Sequence, residues 1–516
     1  MSLPADLVRR VPVRVRLPLL VYVVSQLILV GWWAAFFPGL MSYDSISYVW
    51  HVTTDHWMAN HSVPYDGLVW LSLQASGDLW PLTLLQTVAA AAVLAYAADV
   101  LHALGVRARW AALAAIAVPV VPPLGTFLIF VWKDVPFTIS AVLIFAATGR
   151  LIARRGAGGR PGAGADAGAR AAAVRAPLVL LAIGFIGLVI FRNNGFLTAA
   201  IAAPILIVAL AGRRVAVAAV SLSPIALSFV LTGWLYPALS IEGARPSLTY
   251  ATAYADVAVA YERRPGTFTQ TDLALMSRVA PLWQWRAGGA NCYDSDWLTH
   301  RESFDNTAAD ANTTQLRALW MRTIERTPGV VAAARLCRGS IAWRIPPGPR
   351  RLDGDTQVAA TQVPDDRFGW ARRPTSRMSG NPYLPVLRIR PLSEGLHKPA
   401  LEALRAARTP SLEWLLQRAP LWCYLAYISA AAYAWVRRRP GALALVAPVA
   451  GIQLAVLAAN PAQLFRYMTG ALLVGVLMVP LLTVRRDRRP PDGPGEDAPG
   501  EETGGAQPRE GRVFAG

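Results

Sequence analysis

Lysine is almost missing from this chain of 516 residues, with Lys133 and Lys398 the only two among 50 basic residues. Charge of any sign is thin, at 16% of residues against 54% hydrophobic, and the mean hydropathy is +0.36. That balance does not read as a soluble protein. Also missing are a Walker A loop, a GxGxxG in strand–helix context, a GxSxG elbow and an HExxH pair, so a soluble-type nucleotide enzyme has no support. Only three cysteines occur, at 292, 337 and 423. A Cys292–Cys337 disulfide and two unpaired thiols both remain open, the first requiring an oxidising compartment.

Long apolar runs are what the chain does have. Runs near 20 residues match the roughly 30 Å of a bilayer core, and they fall at 17–37, 80–104, 110–128, 136–153, 177–191, 196–212, 215–238, 416–436, 440–459 and 466–484. They are continuous and rich in Ala, Leu and Val, which argues against a β-barrel. The expected fold is therefore an all-α polytopic membrane protein of about ten transmembrane helices. The basic N-terminus ahead of the first run resembles a signal peptide. The apolar part is too long, however, and no small-residue cleavage site follows, so a retained first helix is expected.

The net charge of +18 follows from topology rather than from nucleic acid, which is not expected as a partner. Arginines gather before the first run, at 107 and 109, from 150 to 175, at 213–214, at 437–439 and after the last run. Every second junction is basic, which makes those junctions and both termini cytoplasmic. Residues 38–79, 129–135, 192–195, 239–415 and 460–465 then face outward. The chain divides into a transmembrane module at 1–238, a mixed extracytoplasmic domain at 239–415, final helices at 416–484 and a disordered tail at 485–516. The Gly/Ala-rich stretch 156–175 reads as a linker. Helical patterns are expected at 312–326 and 328–344. The domain's tryptophans 283, 285, 297, 320, 343 and 370 fit a core, an interfacial belt or sugar platforms.

The outward loops carry the candidate chemistry. Residues 41–66 hold Asp44, Asp55, Asp66, His51, His56 and His61 but no Lys or Arg. Such groups are expensive beside a membrane helix and point to chemistry at the surface. Asp44 also suits a helix start in Ser42–Tyr43–Asp44–Ser45. The histidines are spaced by five, which puts them on no common helix face, so a metal site of Asp44 plus histidine has no ligand pattern behind it. Lys133–Asp134 opens a span, either as a surface ion pair or as part of a site. Lys133, Arg192 and Arg466 are the isolated cations of the short outer loops. They either snorkel to headgroups or meet a phosphate.

The stretches PGLMSYDSISYVW, NHSVPYDGLVWL and WKDVPF resemble a poorly characterised bacterial branch of the GT-C superfamily of membrane glycosyltransferases, over roughly residues 17–235 and, more loosely, the final spans with FRYM. The family's adjacent His-Pro stands here as His61–Ser62–Val63–Pro64. The resemblance implies a GT-C-like fold and a polyprenyl-phosphate-linked sugar donor. The acceptor would be a cell-envelope glycan, a glycolipid or a protein, and the protein would sit in the bacterial plasma membrane. It makes Asp44 the catalytic base or acceptor-orienting group and Asp134 a second acidic residue. It also gives Lys133, Arg192 and Arg466 to the lipid phosphate, with His61 and Tyr467 beside them. A divalent metal, Mg or Mn, would fall to Asp44 and Asp134 if one is used. Glycosyl transfer needs a carboxylate to take the acceptor proton and cations for the departing phosphate. A transporter or flippase for a lipid-linked or anionic solute is the alternative, but it asks for charges near the bilayer centre. Asp99 and His102 lie instead near the inner end of a span. An envelope-assembly protein that uses 239–415 as a binding module is the third reading.

Overall fold

The computed structural model describes residues 13–156, 167–348, 378–407 and 409–485. Among these the chain is mostly helical and holds no strand, only isolated bridges at Leu40–Phe130 and Met58–Glu242. Five helices are long and apolar enough to cross a membrane: Arg16–Ala35, Trp80–Ala103, Asp134–Arg154, Ala211–Ala238 and Pro440–Ala459. Shorter apolar helices accompany them at Ala108–Val120, Val174–Ile190, Gly195–Ala209 and Thr469–Thr483. Large apolar side chains line the outside of this bundle, with Val215 at 85% and Trp435 at 84% exposure. An apolar surface of that extent needs a partner other than water, and with the helix lengths it makes this a membrane protein.

The first half runs α1 (Val13–Ala35), α2 (Tyr43–Thr53), α3 (Val63–Ser76), α4 (Trp80–Ala103), α5 (Ala108–Val120), α6 (Pro122–Phe127), α7 (Asp134–Gly156), α8 (Ala167–Ile190), α9 (Gly195–Ala209) and α10 (Arg214–Val230). Helix α1 packs on α4, α4 on α7, and α7 on α8. Where one span was expected over 110–128, the chain turns at Val121 between α5 and α6. Pro119, Pro122 and Pro123 crowd that point, and a proline removes a backbone donor and clashes with the preceding turn. The linker expected at 156–175 is shorter than its composition implied: α8 already begins at Ala167, and residues 157–166 lie outside the described residues. Alanine is the strongest helix former, which outweighs the looseness of the stretch. The expected tail at 485–516, apart from Arg485, and Trp370 also lie outside them.

Residues 239–415 were expected to be mixed, but their described part is helical. It contains α11 (Ala251–Arg263), α12 (Gln270–Val279), α13 (Leu282–Ala290), α14 (Thr313–Arg326), α15 (Pro328–Arg338) and α16 (Glu394–Ala407). Its many prolines suggested broken structure. Pro246, Pro265, Pro328, Pro385 and Pro410 instead stand in the first turns of helices, where the missing N–H costs nothing. Trp285 is fully buried with Tyr254, Leu298 and Phe304 in a core of its own, whereas Trp283 lies exposed. Cys292 and Cys337 are joined, with Cα atoms 5.8 Å apart. The chain returns through α17 (Pro420–Val436), α18 (Ala447–Ala459) and α19 (Thr469–Met478). Helix α18 packs on α9, and α17 on α19.

Candidate functional site

The loops that precede α2 and α7 are tied edge to edge. Leu40 N–H donates to the Ile129 carbonyl at 3.1 Å and Val131 N–H to the Leu40 carbonyl at 2.9 Å. Gly39 precedes this contact at φ +147°, and a Cβ there would stand 2.7 Å from the Ile129 oxygen. Only glycine permits both the angle and the approach. The Ser45 hydroxyl then donates to the Val131 carbonyl at 2.9 Å, and the Trp132 indole N–H donates to the Ser42 hydroxyl. These bonds set Ser42–Asp44 alongside Trp132–Asp134.

Ser42, not Asp44, caps helix α2. Its hydroxyl accepts the Asp44 backbone N–H, and the Ser45 hydroxyl accepts the Ser42 N–H in return, at 2.9 Å. A reciprocal box of this kind satisfies the orphan donors of the helix start. The Asp44 carboxylate is thereby free of capping duty and forms an ion pair with Arg466. Arg466 comes from the short turn Phe465–Tyr467 between α18 and α19, and its Nη1 also lies 3.9 Å from Asp134. The two carboxylates therefore share one guanidinium.

Arg192 closes the other side. It sits in the turn between α8 and α9, where Gly195 packs so tightly that a Cβ would lie 1.8 Å from the Leu188 carbonyl oxygen. Arg192 Nε approaches Asp134 Oδ1 at 3.4 Å, with Arg192 at 7% and Asp134 at 1% side-chain exposure. Among the described residues, neither Asp134 oxygen has a hydrogen bond at shorter range. The Tyr467 ring separates the two guanidiniums, 4.5 Å from Arg192 and 5.4 Å from Arg466, and Trp132 backs Arg466 at 5.1 Å. Aromatic faces hold such cations by their quadrupole while leaving the N–H groups free to donate. Asp44, Lys133, Asp134, Arg192, Arg466 and Tyr467 all line one cavity of about 580 Å³, walled on its far side by Leu248, Thr249 and Thr252 of the 239–415 segment.

His61 is placed differently. Lys133 Nζ donates to its Nδ1 at 2.7 Å. An ammonium can only donate, so that nitrogen carries a lone pair. The imidazole itself lines a neighbouring cavity of about 180 Å³ with Ile190, Phe196, Phe229 and Tyr236. The other histidines do not join the site. His51 Nδ1 meets Asp66 Oδ2 at 2.9 Å in a fully buried pair, and His56 turns to the Thr54 carbonyl at 2.8 Å. Asp55 takes the Trp57 indole N–H at 3.1 Å. Among the described residues, no three His, Cys, Asp or Glu side chains group as a metal set.

The electrostatics follow this geometry. Burial pushes the Asp44 carboxyl up, but Arg466, helped by Lys133, outweighs burial and holds it well below the usual carboxylate range. Burial lowers Lys133, opposed by Asp44 and Asp134. Burial and the Lys133 charge both push His61 down, which keeps it neutral. Burial raises Tyr467 to about 12 despite Arg466 and Arg192.

Several members escaped notice in the sequence. Tyr48 is fully buried in contact with His61 and Lys133, and its hydroxyl has no partner among the described residues. Asn193 donates to the Ala59 and Asn60 carbonyls at 3.1 and 2.9 Å and so ties the loop between α2 and α3 to the Arg192 turn. Asp294 and Asp296 come from the large loop, where Ser295 donates to the Pro461 carbonyl through its N–H at 2.8 Å and its hydroxyl at 2.9 Å. None of these belongs to a motif, although the paired asparagines in FRNNGF were a visible cue. Compared with family models, curated proteins and solved structures, the chain finds no match.

Proposed function

We propose that the protein is a membrane glycosyltransferase of GT-C type. It would take a sugar from a polyprenyl-phosphate carrier and transfer it to a cell-envelope glycan, glycolipid or protein at the outer face of a bacterial plasma membrane. In this reading the chain crosses the membrane about ten times, with both termini cytoplasmic. The disulfide in the 239–415 segment fits an oxidising outer compartment. One observation carries the proposal. Two carboxylates and three cations from four separate outer segments meet in a single cavity at one end of the bundle.

The chemistry is a displacement at the anomeric carbon. The acceptor oxygen attacks that carbon, and the bond from carbon to phosphate oxygen breaks. The phosphate departs with the electron pair, and the acceptor proton passes to Asp44. Arg192, Lys133 and Arg466 neutralise the leaving phosphate, the largest charge developed in the step. Arg466 has a second role. Its ion pair with Asp44 keeps that carboxylate a weak base. A bound phosphate competes for the guanidinium, which releases Asp44 and raises its basicity only when the donor is in place. Asp134, pinned by Arg192, holds the two cationic side chains in register.

The test is an Asp44→Asn variant assayed in membranes for sugar turnover from a polyprenyl-phosphate donor. Loss of a general base typically lowers the rate about 100-fold or more. Unchanged turnover at normal expression would overturn the assignment.

A further inference from the structure

A second basic hollow lies at the end of the bundle opposite the cleft. Helix α4 starts at Trp80 near the outer loops and ends at Ala103, about 36 Å away at roughly 1.5 Å per residue. Around its far end is a cavity of about 680 Å³, larger than the cleft itself. Arginines reach it from three helices: Arg16 from α1, Arg109 from α5 and Arg150 from α7. Asp99 is the carboxylate among its lining residues, and it pairs with Arg150, whose guanidinium also lies 5.6 Å from the Tyr96 ring. That leaves the hollow with a net positive lining. His102 also lines it, its Nδ1–H donating to the Val106 carbonyl at 3.1 Å.

The positive-inside tendency explains why arginines occur near one end of a bundle. It does not explain why those of three helices surround one concavity. The rest of the wall is aliphatic, with Leu17, Leu20 and Ala112. Leu20 is 55% exposed, and the neighbouring Leu19 and Leu113 are exposed as well, so the hollow opens onto the apolar flank of the bundle. A cationic floor joined to an apolar lip matches an anionic head carrying a hydrocarbon chain. A water-soluble phosphate compound would leave the leucine lip without a partner.

We propose that this hollow binds one phosphate-bearing lipid, its head held by Arg16 and Arg109 and the start of its chain laid along Leu17 and Leu20. The inference is independent of the transferase reading, because no residue of the cleft takes part.

The full chain, purified in a neutral detergent, is titrated with phosphatidylglycerol or phosphatidylcholine, and bound lipids are counted by native mass spectrometry. The wild type should retain one phosphatidylglycerol in preference to phosphatidylcholine. The double variant Arg16→Gln/Arg109→Gln should bind it about 30-fold more weakly, at the usual contribution of two arginines near a lipid surface. The Asp99–Arg150 pair is left intact to protect the fold, and the single charge reversal Arg109→Glu, at an exposed position, serves as a second variant. Equal retention by both variants and the wild type would overturn the proposal. Displacement of the lipid by equimolar inorganic phosphate would overturn it too, by making this a soluble-anion site. The Arg466→Gln variant should retain the lipid; loss there, with retention in the double variant, would move the binding to the cleft and overturn the proposal.

Discussion

Arg466 carries more of the site than any other side chain. It touches Asp44 directly, lies 3.9 Å from Asp134 and rests against Trp132 and Tyr467. In an Arg466→Gln variant, burial of Asp44 is no longer offset by its main counter-charge, so the carboxyl pKa rises. The acid limb of the pH–rate profile should therefore move to higher pH, and turnover should fall even at its optimum because the leaving phosphate loses a donor. An acid limb that stays in place would separate Arg466 from Asp44 in function. Arg466→Lys should rescue the limb only in part, since an ammonium cannot address two carboxylates with a planar fork. His61 is a different kind of residue. Its adjacency to Lys133 was not readable from HSVP, because seventy-two positions separate the two.

At the scale of elements, helix α2 and the turn before α19 do the positioning. Ser42→Ala removes one half of the capping box and also the acceptor for the Trp132 indole. A cap of this kind is worth about 1 kcal/mol, so thermal melting should shift down modestly. Turnover should fall further than stability does, because Asp44 sits two residues past the cap. The loop Asn291–Thr299 supports the Arg466 turn through Ser295 and Pro461. Within it, Asp294 is raised to about 7 by burial and by the Asp296 carboxylate. The folded-state pKa lies above the unfolded value near 3.8, so the folded protein holds this proton more tightly than the unfolded chain. That contribution to stability is complete below the unfolded pKa and is lost as pH rises through about 7. Melting temperature followed from pH 5 to pH 8, a range of about three units, should fall in the wild type and fall less in Asp294→Asn. Parallel curves would mean that Asp294 does not titrate there.

At the scale of the whole molecule, the 239–415 segment and the final helices complete a cleft begun by the loops before α2 and α7. Asn460 Nδ2 donates to the Arg338 carbonyl at 2.7 Å, and Gln463 bonds the carbonyls of Cys337 and Arg338. The Cys292–Cys337 bond joins the two stretches that grip this turn, across a sequence separation of 45. Closing a loop of that length restricts the unfolded chain by about 4 kcal/mol in the chain-entropy picture. The Cys292→Ser variant, or the wild type with reductant, should therefore melt at a lower temperature and lose turnover at assay temperature. If neither changes, the bond is incidental to the cleft.

Composition and periodicity alone were enough for a helical membrane protein, because roughly 20 apolar residues in a row have few stable alternatives to a buried helix. They also picked out Asp44, Lys133, Asp134, Arg192 and Arg466, because charge beside an apolar span is costly and so stands out in the sequence. Local patterning misjudged the 239–415 segment, where prolines at helix starts looked like breaks. Tertiary structure alone decided that Asp44 is freed by Ser42, that Arg466 crosses 422 positions to reach it, and that Thr249 and Thr252 close over the cleft. The physical reason is range. Hydrophobic length and local charge act within a helix or a turn, whereas an ion pair forms wherever packing brings its partners together, and sequence spacing does not encode that meeting.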